Sequence, residues 1–143
     1  MKVSALLDDK GTEVVTISPT ATVGEAVGLL ARKGIGALVV SEDGERILGI
    51  VSERDVVRRL HTAAAGITAL SVGELMSTAV HTCTPDDDIE SLMRTMTDRR
   101  VRHVPVVVAG KLAGLVSIGD VVKRRIVELE RDRRELLDYI TAR

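Results

Sequence analysis

The sequence predicts an α/β protein in which two pseudo-symmetric β-α-β-β-α repeats pack as one module, followed by a long C-terminal helix. Three observations carry that prediction. The chain aligns with itself: Thr16-Ile-Ser-Pro19 matches Thr82-Cys-Thr-Pro85, and Ile35 and Val40 match Val101 and Val106, at an offset of 66. After a one-residue deletion in a turn, Gly49, Ser52 and Asp55 match Gly114, Ser117 and Asp120 at an offset of 65. Within each copy, short apolar runs alternate with stretches of helical periodicity. Finally, the segment from Val121 to Arg143 contains no glycine or proline.

In the first copy, "VVTIS" (14–18) is a β-branched run closed by Pro19, hence a strand. Thr22 and Glu25 form a capping box, opening a helix with Val23, Ala26, Val27 and Leu30 on its apolar side. Gly34 stands where a helix C-terminus favours a left-handed residue. "IGALVV" (35–40) is a continuous apolar strand, "SEDGE" (41–45) a turn and "RILGIVS" (46–52) its hairpin partner. A helix from Glu53 to about Leu60 completes the unit.

The second copy repeats the order, with Asp88 as N-cap, a stripe of Ile89, Leu92, Met93 and Met96, and strands at 101–108 and 111–117. Pro105 lies inside the first of these, which argues for an edge or an interrupted ladder. Units of this size are marginal alone, so the two are expected to fold as one body. Residues 1–60 and 72–126 hold the repeats, 61–71 the linker and 127–143 a helical extension. Val122, Ile126, Leu129, Leu136 and Ile140 recur along that extension with Arg133 on the same line, as in a clasp against a neighbouring surface such as a second subunit.

Composition excludes several functions. Hydrophobic residues make up 45% of the 143, but Tyr139 is the only aromatic, so the core is aliphatic and stacking platforms for single-stranded nucleic acid are missing. Twenty basic and 21 acidic residues leave a net charge of −1, with no field to draw in nucleic acid or a membrane. No apolar run approaches a membrane span or a signal-peptide core, which reads as a cytoplasmic protein. Cys83 aligns with Ile17 and reads as a buried thiol. Asp86, Asp87 and Asp88 read as a helix start rather than a metal site, and His61 and His81 as surface or linker residues. The mixed charges of the C-terminal helix read as a solvated face rather than a nucleic-acid patch. No nucleophile–base set, metal cluster or Gly-rich phosphate loop supports an enzyme.

The repeated phrase, "GIVSERD" and "GLVSIGD", admits two readings. Ser52 and Ser117 precede helices, with Asp55 and Asp120 three residues on, so both pairs suit helix caps. The same turn offers a phosphate the helix amides, and a carboxylate can accept two hydrogen bonds from a ribose diol. Both readings stand at this point. The leading glycine lets the strand bend or another backbone approach.

With its motifs in order, "TISPTATVGEAV", "GALVV" and "GIVSERD" echoed by "TCTPDDDIESLM", "RHVPVVV" and "GLVSIGD", the chain over about residues 1–126 resembles a pair of CBS domains, the cystathionine β-synthase type regulatory repeats. The resemblance implies clefts for an adenosyl ligand such as AMP, ADP, ATP or S-adenosylmethionine. By motif position, Asp55 and Asp120 take the ribose hydroxyls and Ser52 and Ser117 lie by ribose or phosphate. Ile35, Gly36 and Ala37, and likewise Val101, Arg102 and His103, flank adenine, with Thr16 and Thr82 beside the base. Arg54 is a phosphate partner, and the basic pair Arg102-His103 makes the second copy's cleft the better nucleotide site. A homodimer signalling to an effector protein is the expected context. The alternatives are a ligand-free dimerisation scaffold and a nucleic-acid binder acting through the C-terminal helix under nucleotide control.

Overall fold

A computed structural model of the chain describes residues 1–62 and 65–142. In the first unit, β1 (Thr16–Ile17) runs parallel to β2 (Ala37–Val40), with Thr16 opposite Val39. β2 pairs antiparallel with β3 (Gly49–Ser52), setting Ala37 opposite Ser52. All four β2 residues are buried, which explains its unbroken apolar run: the central strand is covered on both faces. Helix α2 (Val23–Lys33) makes the parallel crossover. Thr22 Oγ1 accepts from Glu25 N at 3.1 Å, Glu25 Oε2 accepts from Thr22 N at 3.0 Å, and Gly34 ends the helix at φ +62°. Helix α3 (Glu53–Thr62) follows β3 without a loop. The strands are shorter than 14–18 and 46–52 because β1 meets β2 at only two positions and β3 pairs only from Gly49 on.

The second unit has α5 (Ile89–Arg99), β4 (His103–Val108), β5 (Lys111–Ser117) and α6 (Ile118–Thr141). Asp88 Oδ2 caps α5 by accepting from Ser91 N at 3.0 Å. β4 and β5 form an antiparallel pair, while the first strand shrinks to a single parallel bridge of Cys83 with Val106. Pro105 belongs there for a definite reason. Its carbonyl accepts from Cys83 N at 3.0 Å, so its missing N–H faces the same side, where the ladder is one bridge long. The β4–β5 pairing loses nothing to it.

The lead-in helices exchange places. α1 (Val3–Lys10) docks on the second unit: Val3 N donates to Asp87 O and Ser4 N to Pro85 O, both at 2.9 Å. α4 (Val72–Leu75) docks on the first unit in the equivalent way, Val72 N to Ala21 O at 2.8 Å and Gly73 N to Pro19 O at 2.9 Å. The cores follow the docking. Val3, Leu6 and Leu7 are buried with Ile89, Leu92, Met96, Val104 and Val116, and Val72 with Ala26, Leu30, Leu38 and Val51. Packing therefore places α1 in the core of the second unit and α4 in that of the first.

This exchange accounts for the glycine that opens each phrase. A Cβ on Gly49 would stand 2.7 Å from Met76 Sδ and 2.8 Å from the Ser77 carbonyl; one on Gly114 would stand 2.8 Å from Leu7 Cδ2. Each glycine leaves room for the other unit's lead-in. In the linker region, α3 runs to Thr62 and a 3-10 turn covers Ile67–Ala69; residues 63 and 64 of the 61–71 linker lie outside the described residues. α6 begins on the body, burying Val121 and Glu128, and every described residue from Leu129 onward is exposed. No described helix is long and apolar enough to cross a membrane.

Candidate ligand-binding site

Both repeated turns are capped helix starts. Asp55 Oδ2 accepts from Ser52 N at 2.8 Å and Ser52 Oγ at 3.0 Å, and Ser52 Oγ accepts from Asp55 N at 3.4 Å. Asp120 Oδ2 accepts from Ser117 N at 2.9 Å, and Ser117 Oγ accepts from Asp120 N at 3.2 Å. Behind each turn the strand opening of the same unit supplies a carbonyl: Glu53 N donates to Gly36 O at 3.0 Å, and Ile118 N to Arg102 O at 2.8 Å. Each carboxylate uses one oxygen for the cap, so capping and ligand binding compete only in part.

The turns open on two clefts between the units. The first, of about 230 Å³, is lined by Ser52, Asp55 and Ile50 on one side and Val101, Arg102 and His103 on the other. Four arginines border it, Arg54, Arg58, Arg100 and Arg102. Arg54 Nη1 donates to the Arg100 carbonyl at 3.2 Å, tying α3 to the C-terminus of α5 in the other unit. Arg100 ends that helix at φ +54°, the left-handed region that Gly34 occupies in the first unit.

The second cleft, of about 340 Å³, is lined by Ser117, Asp120, Leu115 and His103 with Ile35, Gly36, Ala37, Val14, Val15, Glu13 and Lys10. Here the last turn of α1 intrudes. Lys10 Nζ donates to Asp120 Oδ2 at 2.6 Å and to the Leu115 carbonyl at 2.7 Å. Burial pushes the Asp120 carboxyl up, but the Lys10 ammonium and the Ser117 N–H and hydroxyl together outweigh it, leaving the group below the ordinary carboxylate value.

His103 stands between the clefts. Its ring packs on Gly36, where an added Cβ would come within 3.2 Å of Cε1. Burial lowers its pKa, and the nearby Glu53 and Asp120 carboxylates do not compensate, which favours the neutral imidazole. Sequence reasoning placed Arg102 and His103 as a basic pair beside Asp120. In the structure Arg102 borders the Asp55 cleft, while His103 lines both clefts with its pKa lowered by burial. Thr16 and Thr82 line neither cleft. Val14 and Val15, just before β1, face the Asp120 cleft instead, and Thr82 is exposed beside the bridge at Cys83. Lys10, Arg58 and Arg100 were missed. Lys10 lies 110 positions from Asp120, and only the exchange of lead-ins brings them together. Elsewhere, burial pushes the Cys83 thiol up to about 11, the value of an inert core cysteine. The described residues contain no cluster of three or more His, Cys, Asp or Glu suited to a metal ion.

Doubled units with exchanged lead-ins and two clefts at capped strand–helix turns define the arrangement. A profile of the CBS domain matches residues 9–62 and 72–127. The chain is a CBS-domain protein. Its two repeats form a CBS pair, and CBS pairs are regulatory modules that often hold adenosyl ligands. The chain is 36% identical over 123 residues to the CBS domain-containing protein CBSX3, mitochondrial, of Arabidopsis thaliana, covering 83% of this chain and 60% of that one. It therefore spans about three-fifths of that relative's length. It is 33% identical over 118 residues to YhcV of Bacillus subtilis, covering 82% of each. The crystal structure of the CBS-domain protein ATU1752 from Agrobacterium tumefaciens superposes with a TM-score of 0.84 at 44% identity, over 87% of this chain and 99% of that one.

Proposed function

We propose that this CBS pair senses an adenine nucleotide, AMP, ADP or ATP, in the cleft between its repeats and passes the signal to an effector protein through a change in their arrangement. The observation that carries this reading is the Asp55 cleft: a carboxylate acceptor at a helix start, apolar walls from Ala37, Ile50 and Val101, and four bordering arginines. A ribose diol needs such an acceptor, adenine needs apolar walls and backbone groups, and phosphates need cations. S-adenosylmethionine shares the adenosyl part but brings a cationic sulfonium, which the arginines oppose. The Asp120 cleft is the weaker site, because the Lys10 ammonium already pairs with the Asp120 carboxylate, at the same Oδ2 that closes the cap, and so neutralises its charge.

The structure also offers a route for the signal. Arg54 bonds the Arg100 carbonyl across the repeats. A phosphate that draws Arg54 away exchanges an inter-repeat contact for a ligand contact, so nucleotide and repeat arrangement become linked. Thermal unfolding of the whole chain with AMP, ADP, ATP, adenosine, S-adenosylmethionine and inorganic phosphate tests the reading. At a nucleotide concentration 100 times Kd, linkage adds about 2.7 kcal/mol, which raises Tm by several degrees. No shift with any adenine nucleotide removes the proposal, and an equal shift with inorganic phosphate reduces it to an anion site.

A further inference from the structure

We infer that the Asp55 cleft selects a nucleoside triphosphate free of divalent metal, in preference to the monophosphate and to the magnesium complex. The inference rests on the nucleotide reading above and names the form of nucleotide that the site takes. It starts from a difference in sign between the two clefts. Arg54, Arg58, Arg100 and Arg102 line the Asp55 cleft with Glu53 and Asp55, so four cations meet two carboxylates and leave two positive charges in excess. The Asp120 cleft sets Lys10 against Glu13 and Asp120, one cation against two carboxylates. His103 is common to both clefts and does not account for the difference.

The protein itself leaves that excess unbalanced. Elsewhere Lys10, Arg94, Lys111, Arg124, Arg125 and Arg131 each pair with a carboxylate, whereas none of the four cleft arginines has an ion-pair partner among the described residues. Arg54 bonds only a neutral group, the Arg100 carbonyl, among its recorded hydrogen bonds. Like charges held together repel, and an anion shared by all of them removes the repulsion. Arginine suits phosphate in particular, because its paired N–H donors match two phosphate oxygens at once.

The carboxylates say where the phosphates run. Glu53 and Asp55 stand in the first turn of α3, which accepts a ribose diol and repels a phosphate. Arg58 lies one helical turn beyond Arg54, and Arg100 and Arg102 border the same cleft from the other unit. At about 230 Å³ the cleft is smaller than the roughly 300–1,000 Å³ of sites that enclose a whole ligand, which leaves the phosphates on the rim with the exposed Arg58, Arg100 and Arg102. Charge then ranks the ligands. A free triphosphate carries about four negative charges near neutral pH and a monophosphate about two. Magnesium cancels about two of the triphosphate's charges and would stand among arginines, like charge beside like. Only the free triphosphate combines charge to balance the rim with a chain that reaches several arginines.

The test is calorimetry of the full chain near neutral pH and at low salt, with AMP, ATP in EDTA, ATP in excess magnesium chloride, and inorganic tripolyphosphate. Free ATP is expected to bind about tenfold more tightly than AMP, and excess magnesium to take back most of that gain. At matched ionic strength magnesium leaves AMP, which chelates it poorly, unchanged. Arg58→Gln, at an exposed position and checked for folding by circular dichroism, narrows the ratio of ATP to AMP affinity about threefold or more. Arg58→Lys keeps the charge and retains most of the ratio. AMP binding as tightly as ATP, or magnesium-ATP as tightly as free ATP, overturns the inference and leaves the nucleotide reading standing. Tripolyphosphate binding as tightly as ATP, or no binding of any adenine nucleotide, removes both.

Discussion

The two copies of the strand-to-helix phrase are identical in their caps and opposite in their surroundings. Asp55 and Asp120 both close a Ser–Asp cap with Oδ2, yet Asp120 also holds Lys10 at 2.6 Å while four arginines border the Asp55 cleft. Duplication copied what a helix start requires. What differs came from elements that cross between the units: the end of α1 on one side, and the C-terminus of α5 with the opening of β4 on the other. A cleft's chemistry in this fold is thus set by the neighbouring repeat as much as by its own motif.

The sharpest way to break the comparison is at the carboxylates. Asp55→Asn keeps a capping oxygen but removes the charge a ribose diol would meet. A hydrogen bond to a charged group is worth roughly 1.5–3 kcal/mol, so AMP affinity by calorimetry should fall by ten- to more than a hundredfold. Asp120→Asn should leave AMP affinity within about threefold, since that carboxylate is already neutralised. Equal losses for both variants would show that the clefts are equivalent and that the arginines decide nothing.

Next in size are the glycines. Gly49→Ala forces a methyl to within 2.8 Å of a backbone carbonyl, whereas Gly114→Ala meets the end of the flexible Leu7 side chain. Overpacking against a backbone should cost about 1–3 kcal/mol in urea unfolding, and the Gly114 variant about 1 kcal/mol or less. Reversal of that order would contradict the way the lead-ins are docked.

Much of this was legible in the sequence. The repeat, all four predicted strands of β2, β3, β4 and β5, and the caps at Thr22, Asp88, Ser52 and Ser117 rest on local pattern, and local pattern carries that information. The exchange of α1 and α4 does not. Val3, Leu6 and Leu7 need only an apolar groove, and nothing in their periodicity says which unit provides it. The omission of Lys10 descends from that, its partner lying in the other unit, whereas Arg102 was assigned to its own copy's aspartate because nothing local says that the opening of β4 faces the other copy's cleft. The first strands were overextended for a related reason. A β-branched run such as 14–18 marks where pairing is allowed, while the partner strand sets where it stops.

A smaller effect separates the clefts by pH. The folded Asp120 carboxyl lies below its ordinary value, so the stability it supplies is present above the unfolded pKa, near 4, and is lost as pH falls through the lower folded value. Both members of the Lys10–Asp120 pair are about a third exposed, which holds their contribution to about 1 kcal/mol or less. Lys10→Met should therefore unfold slightly more easily at pH 7 and match the unmodified chain near pH 2. It should also bind adenosine more tightly, because Asp120 is freed; unchanged adenosine binding would show that Lys10 does not guard this cleft.

The smallest effect lies at the ends of α2 and α5. Gly34 and Arg100 are equivalent positions, both left-handed, but only glycine adopts φ near +60° without a Cβ penalty. Arg100→Gly relieves that strain of about 1–2 kcal/mol, and the greater freedom of glycine in the unfolded chain takes back about 0.4–1. The variant should gain a few tenths of a kcal/mol in urea unfolding. Arg100 also borders the Asp55 cleft, with Arg54, Arg58 and Arg102. Because the Arg100 carbonyl that holds Arg54 survives the change, the variant isolates the guanidinium. ATP should then lose affinity several-fold more than AMP, its extra phosphates having one cation fewer to meet. A variant that gained stability and lost no preference for ATP would leave the strain without a function and move the phosphates elsewhere.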